Sequence, residues 1–221
     1  MVAVLGLGAL AFALTGGNDG PLGPLVPGTG EPDRVTPAFD FAVGRTKVVP
    51  TASQKPEHLE PEAERAATEG TAVLDDLYTA AFLDPDNWTN GSYDSMLEVF
   101  DQSAGAQAQS DLATLTAGAS AGETFGDIQP GRGKVGPEVL MDSKGHPASV
   151  AFHVTFTARA MNHNGTITLM KSEGEFFLRS IDGTWKIVAF DVKRADEVVE
   201  APTPSVSASV STSATPSGEA S

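Results

Sequence analysis

Residues 148–161 read ASVAFHVTFTARAM. Val150, Phe152, Val154, Phe156, Ala158 and Ala160 alternate with His153, Thr155, Thr157 and Arg159. A period of two with one apolar side predicts a strand buried on one face and wetted on the other, the mark of an antiparallel sheet. Asn164-Gly165 predicts a two-residue type I′ turn, because both residues tolerate positive φ. Thr166–Lys171 then returns as the next strand. Glu175–Ile181, Asp182-Gly183 and Thr184–Lys193 repeat the pattern as a second hairpin. A two-residue loop there sets Leu178 opposite Ile187 and Phe176 opposite Ala189 on one face. The other face receives Phe177 opposite Val188 and Arg179 opposite Lys186, with Phe190 and Val192 extending that set. One face is expected to cover helices, and the other to line a cavity at the sheet's bend or to meet a second subunit. Phe177, Val188, Phe190 and Trp185 are therefore the expected pocket or interface residues. Two short strands are expected upstream, at 124–128 and 133–141.

Before Glu123 the apolar period is that of a helix. Ala66, Ala67, Val73, Leu74, Leu77, Tyr78, Ala81 and Phe82 form one stripe from Pro61 to Phe82, and Asp84-Pro85 ends it because proline disfavours helical geometry in the preceding residue. A second helix is expected from Ser92 as N-cap, with Tyr93, Met96, Leu97 and Phe100 on one side. A third is expected over about 106–115, stopped by Gly118 and Gly122. The expectation is an α+β fold with three N-terminal helices packed on a curved antiparallel sheet of about four to six strands, a cone-like roll.

Outside this domain, read as residues 58–200, the composition changes. Residues 16–57 hold seven glycines and seven prolines, which marks a linker. Within it Phe39, Phe41, Val43, Val48 and Val49 are apolar enough to dock as a strand. Residues 1–15 begin MVAVLGLGALAFAL, a run too short for the roughly 20 residues of a membrane span but suited to a signal core or a truncated anchor. No basic residue precedes Arg34. Residues 201–221 are rich in Ser, Thr and Pro and predict a disordered tail. The plan implies a domain held outside the cytoplasm by an N-terminal membrane segment, or secreted.

The chain has 221 residues, no cysteine, and a net charge of −15. Disulfides, thiol catalysis and cysteine-ligated metals are excluded, and the charge has the wrong sign for a nucleic-acid binder. The acid is uneven. Residues 58–124 carry thirteen acids and one base, and residues 125–200 carry ten acids and nine bases.

The closing stretch GEFFLRSIDGTWKIVAFDVKRAD, residues 174–196, with Trp185-Lys186-Ile187 after the turn, resembles the nuclear-transport-factor-two-like (cystatin-like roll) superfamily. The resemblance covers about residues 60–195. The plan of anchor, spacer, roll and Ser/Thr tail looks like exported proteins of high-GC Gram-positive bacteria. Relatives of this kind include isomerases, dehydratases and polyketide cyclases, and also ligand-binding and accessory domains without chemistry. An enzyme of the superfamily would place an Asp or His base inside the cone.

His153, Asp127 and Asp191 are the candidates for that base, each equally readable as a solvated sheet residue. His58, His146 and His163 fall in linker or turn positions. The oxygen-rich 84–91 segment fails the calcium-loop register, since Trp88 takes position five and Ser95 position twelve, so it reads as a helix–helix loop. Asn87, Asn90 and Asn164 match the glycan-acceptor pattern but read as turn residues. Gly131-Arg132-Gly133 lacks the strand and helix context of a phosphate loop. Lys171, Arg179, Lys186, Lys193 and Arg194 read as a solvated face. No catalytic pair, metal set or cofactor motif stands out. The expected function is a non-catalytic, membrane-tethered domain binding a small apolar ligand or a protein partner. The alternatives are a cone-cavity isomerase or cyclase and a self-associating structural module or homodimer.

Overall fold

The computed structural model describes residues 35–51 and 55–199. The apolar leader, the tail and the first half of the Gly/Pro stretch lie outside these residues. The described part is α+β: two short strands, one long and several short helices, then four long strands, all six strands joined in one mixed sheet.

Helix α1 spans Glu60–Tyr78 and opens with Glu60 and Glu62 in its first turn, where carboxylates face the positive end of the helix dipole. Its inner stripe is graded. Ala63, Ala66, Ala67 and Gly70 are small and buried, whereas Leu74, Leu77 and Tyr78 are large and buried. The small half lets the helix approach the sheet closely: a Cβ on Gly70 would lie 2.8 Å from the Phe152 ring. The helix then widens into a π turn over Thr79–Leu83, closed by Asp84 N–H donating to the Thr79 carbonyl. Two of the carbonyls this leaves are taken from outside, Ala80 by the Asn87 side chain and Ala81 by the Ala117 N–H.

The segment read as a helix–helix loop is a short helix, α2, Pro85–Asn90. Asp84 caps it by accepting from Asp86 N–H at 3.0 Å, Pro85 occupies its first turn, and Gly91 at φ 65° ends it. The expected second helix shortens to α3, Asp94–Leu97. The backbone beyond it is drawn to the sheet, with Ile187 N–H donating to the Val99 carbonyl and Asp101 N–H to the Ile187 carbonyl, both at 2.9 Å. Asp101 then restarts the helix, its carboxylate accepting from Ala104 N–H at 2.7 Å. The expected third helix therefore begins early, as α4, Gln102–Ser110, and breaks at Asp111 before α5, Leu112–Leu115. Helix α6, Ala121–Thr124, leads into the sheet.

Strands β1 (Ala42–Val43) and β2 (Lys47–Pro50) pair in parallel with β3 (Phe125–Met141). Strands β3, β4 (Pro147–Asn162), β5 (Ile167–Ile181) and β6 (Thr184–Val199) form an antiparallel meander. The sheet is thus mixed and not purely antiparallel, because the apolar end of the Gly/Pro stretch docks beside β3. The two short strands expected before Met141 are one strand, irregular between Pro130 and Gly133. Asn162–Thr166 closes a three-residue loop in which only Gly165 has positive φ, 85°, so Asn164 is not part of a type I′ turn. Asp182 and Gly183, at φ 52° and 82°, do form the expected two-residue turn.

Alternation along β4 holds throughout, with Val150, Phe152, Val154, Phe156, Ala158 and Ala160 all buried beneath the helices. Rings fill the space between. Tyr78 stands 5.0 Å from both Phe41 and Phe156, and Phe82 lies 5.2 Å from Phe156. Phe39 meets Phe156 edge-on at 5.2 Å. One polar pair is embedded there, the Tyr78 hydroxyl with Ser172 Oγ at 2.9 Å. Burial pushes the Tyr78 phenol well above its ordinary range, opposed by that hydrogen bond.

Candidate functional site

The outward side chains of β3–β6 form the candidate surface. Cross-strand register sets Gly136, His153, Glu175 and Asp191 in one row, and Lys134, Thr155, Glu173 and Lys193 in the next. Glu138, Ala151, Phe177 and Ala189 form a third row. His153 Nδ1 lies 3.0 Å from Glu175 and its Nε2 4.0 Å from Glu138, which Lys47 also meets at 2.9 Å. Glu173 is held below the usual carboxylate range by its hydrogen bond to Lys171 and by that cation's charge. Exposed charge pairs like these contribute little stability each, and Glu175 stands directly opposite the like-charged Asp191.

The three candidate bases are not brought together around an enclosed space. His153 has 59% of its side chain exposed, and Glu175 stands between it and the exposed Asp191. Asp127 is exposed at the far end of β3, where both its oxygens accept from the Gln129 amide at 2.9 and 3.1 Å. Among the described residues no cluster of His, Asp and Glu has the arrangement of a metal site.

The four expected pocket or interface residues separate onto different faces. β5 and β6 shift register between Phe177 and Leu178, so Val188 is the extra residue of a bulge. Leu178 still faces Ile187, but Phe176 faces Phe190 and Phe177 faces Ala189. Phe190 thereby turns to the helix side, 5.6 Å from Phe100 and 6.3 Å from Phe176. Trp185 also serves that side, its indole N–H donating to Glu69 of α1 at 2.8 Å. Phe177 alone of the three aromatics remains on the open face, 38% exposed. A bulge of this kind leaves no trace in the alternation of apolar residues, since Val188, Ala189 and Phe190 suit either register.

Arg194 is not a solvated cation. Its side chain is only 12% exposed, with the guanidinium donating to the Ala113 and Thr116 carbonyls and to the Asp196 carboxylate, 5.9 Å above the Phe82 ring. It locks the end of α5 onto edge strand β6.

The open face also carries a groove at Gly131-Arg132-Gly133, the run that lacks phosphate-loop context. It opens where β3 is irregular, with a volume of about 500 Å³ and a lining that includes Arg132, Arg159, Leu169, Lys171, Asp196 and Glu197. Thr157 builds its wall, accepting from Arg132 N–H at 2.8 Å and donating to the Arg132 carbonyl at 3.2 Å. A side chain at Gly131 would meet that hydroxyl at 2.6 Å, so glycine is needed there. The signal in the sequence was Pro130-Gly131-Arg132-Gly133, a run unfit for a regular central strand.

No protein-family model matches the chain, and no curated protein sequence matches it.

Proposed function

We propose that this protein is a non-catalytic binding domain, a cone-like roll of the nuclear-transport-factor-two-like kind, tethered outside the cytoplasm by its N-terminal apolar segment. Its partner is a small apolar ligand or a protein, a second copy included, met through the open face of the sheet. One observation carries this reading. The helix side of the sheet is filled by the rings of Phe39, Phe41, Tyr78, Phe82, Phe156 and Phe176, whereas the outer face leaves Leu140, Leu169, Phe177 and Ile181 exposed. Leu140, Ala151, Phe177 and Ala189 adjoin in the register, an apolar patch of the kind that marks a contact site, whereas Leu169 lies eight residues along β5 from Phe177. A cone-cavity isomerase would need its base enclosed, and His153, Asp127 and Asp191 stand in solvent. The tether rests on the apolar run Met1–Leu14 and the Gly/Pro spacer after it. Among the described residues no helix is long and apolar enough to cross a membrane.

Fractionation of native cells combined with protease added to intact cells tests the location. The protein is expected in the membrane fraction or the medium, and any membrane-held copy is expected to be cut in its spacer by external protease. Recovery in the cytosol, protected until lysis, would overturn the tether.

A further inference from the structure

We infer that the groove beside Arg132 binds a monocarboxylate carrying an apolar tail, with Arg132 and Arg159 on the carboxylate and Leu169 and Ala195 along the tail. This rests on reading the open face as the binding face. The first observation is charge. In a chain of net −15, the side chains of Arg132 and Arg159 make no hydrogen bond or ion pair among the described residues. Of the nearby acids, Asp127, two residues along β3 from Gln129, the register partner of Arg159, has both oxygens accepting from the Gln129 amide, and those lining the groove are occupied or distant. Asp196 is held by Arg194 at 2.5 Å, and Glu197 lies across Leu169 from Arg159 in the register, two strand spacings or roughly 10 Å away. Lys171 pairs with Glu173. The lining of the groove, with Arg132, Arg159 and Lys171 against Asp196 and Glu197, carries a net of one positive charge, which suits a monoanion. Guanidinium is also the group whose planar fork matches a carboxylate in bidentate fashion.

The second observation is shape. The irregularity that opens the groove also fixes Arg132, whose N–H and carbonyl are both tied to Thr157; bulges commonly serve to re-aim a side chain in this way. Between the two arginines and β6 stand Leu169, 37% exposed, and Lys171 on β5, with Ala195 on β6 opposite Lys171. A volume of about 500 Å³ falls within the usual size of small-ligand sites, roughly 300–1,000 Å³.

Calorimetric titration of the full chain with dodecanoate below its micelle concentration tests the proposal. Dodecanol, with the same tail and no charge, and acetate, with the head alone, serve as comparisons. Dodecanoate is expected to bind, to shift the amide resonances of Gly131, Thr157, Leu169 and Ala195, and to bind about tenfold more tightly than dodecanol or acetate. The double variant Arg132→Gln with Arg159→Gln alters exposed side chains only and is expected to keep its Tm while losing about tenfold in affinity. Absence of binding, shifts confined to another surface, equal affinity for dodecanol, or unchanged affinity in the double variant would each overturn it. Such a result beside intact partner contacts at Phe177 removes this ligand and leaves the open-face reading standing. Loss of both removes that reading too.

Discussion

Arg194 ties the helices to the sheet, since one guanidinium serves the Ala113 and Thr116 carbonyls, the Asp196 carboxylate and the face of Phe82. Replacing it by alanine leaves those carbonyls at the helix end without their charged donor. Arg194→Ala is expected to cost about 2 kcal/mol in chemical denaturation, while Lys193→Ala, its exposed neighbour, stays within about 0.5 kcal/mol. Equal effects would show that the clamp is not holding. Asp75 offers a pH signature. It accepts from Phe41 N–H at 2.8 Å and so ties β1 to α1, yet burial outweighs that bond and raises its carboxyl above the usual range, with Asp40 and Asp76 adding repulsion. The folded state then holds a proton that the unfolded chain releases near pH 4, so stability from this group is full below that value and falls as pH rises through the raised folded value. Asp75→Asn keeps an acceptor for Phe41 and removes the titration. Its melting temperature is expected to decline less than that of the parent above pH 4, and parallel curves would contradict the assignment.

At the scale of elements, α1 sits on β4 through Gly70 against Phe152. Gly70→Ala adds a methyl where the ring already lies, an overpacking expected to cost about 1–3 kcal/mol. Phe152→Leu should relieve it, so the double variant is expected to lose less than the sum of the two single variants in a denaturation cycle. Simple additivity would mean that helix and strand do not meet there. The same elements show how much the sequence carried. The β4 alternation was legible because all six inward residues are apolar and four of the five outward residues between them are polar, Ala151 being the exception. The Asp182-Gly183 turn was legible because its geometry needs those residues. Helix α2 was hidden by its polar composition, although Asp84, Pro85 and Gly91 are its start and stop signals. The shortening of the expected second helix was not readable locally, because the backbone of Val99 and Asp101 is claimed by Ile187, almost ninety residues on. The Val188 bulge was equally silent, and with it the division of Phe177, Trp185 and Phe190 between two faces. The groove at Arg132 was visible only as a proline and two glycines interrupting a strand.

For the whole molecule, the uneven charge sets how a partner can approach. Residues 58–124, which supply α1 to α6, carry a net −12, and residues 125–200, which supply the meander, a net −1. Two copies, or any acidic partner, are repelled by the helical side and meet little long-range field at the sheet. Association through the open face is therefore expected to weaken little between low and physiological salt, whereas a contact made by the helices would be strongly salt-dependent. Concentration-dependent light scattering at two ionic strengths reads this directly for a second copy. The account stands or falls on which face is used. A photo-crosslinking amino acid placed at Phe177, on the open face, or at Glu64, on the exposed side of α1, reports this in native cells carrying the full chain. Discrete adducts from position 177 and none from position 64 are the predicted result. Adducts from position 64 alone would contradict the account.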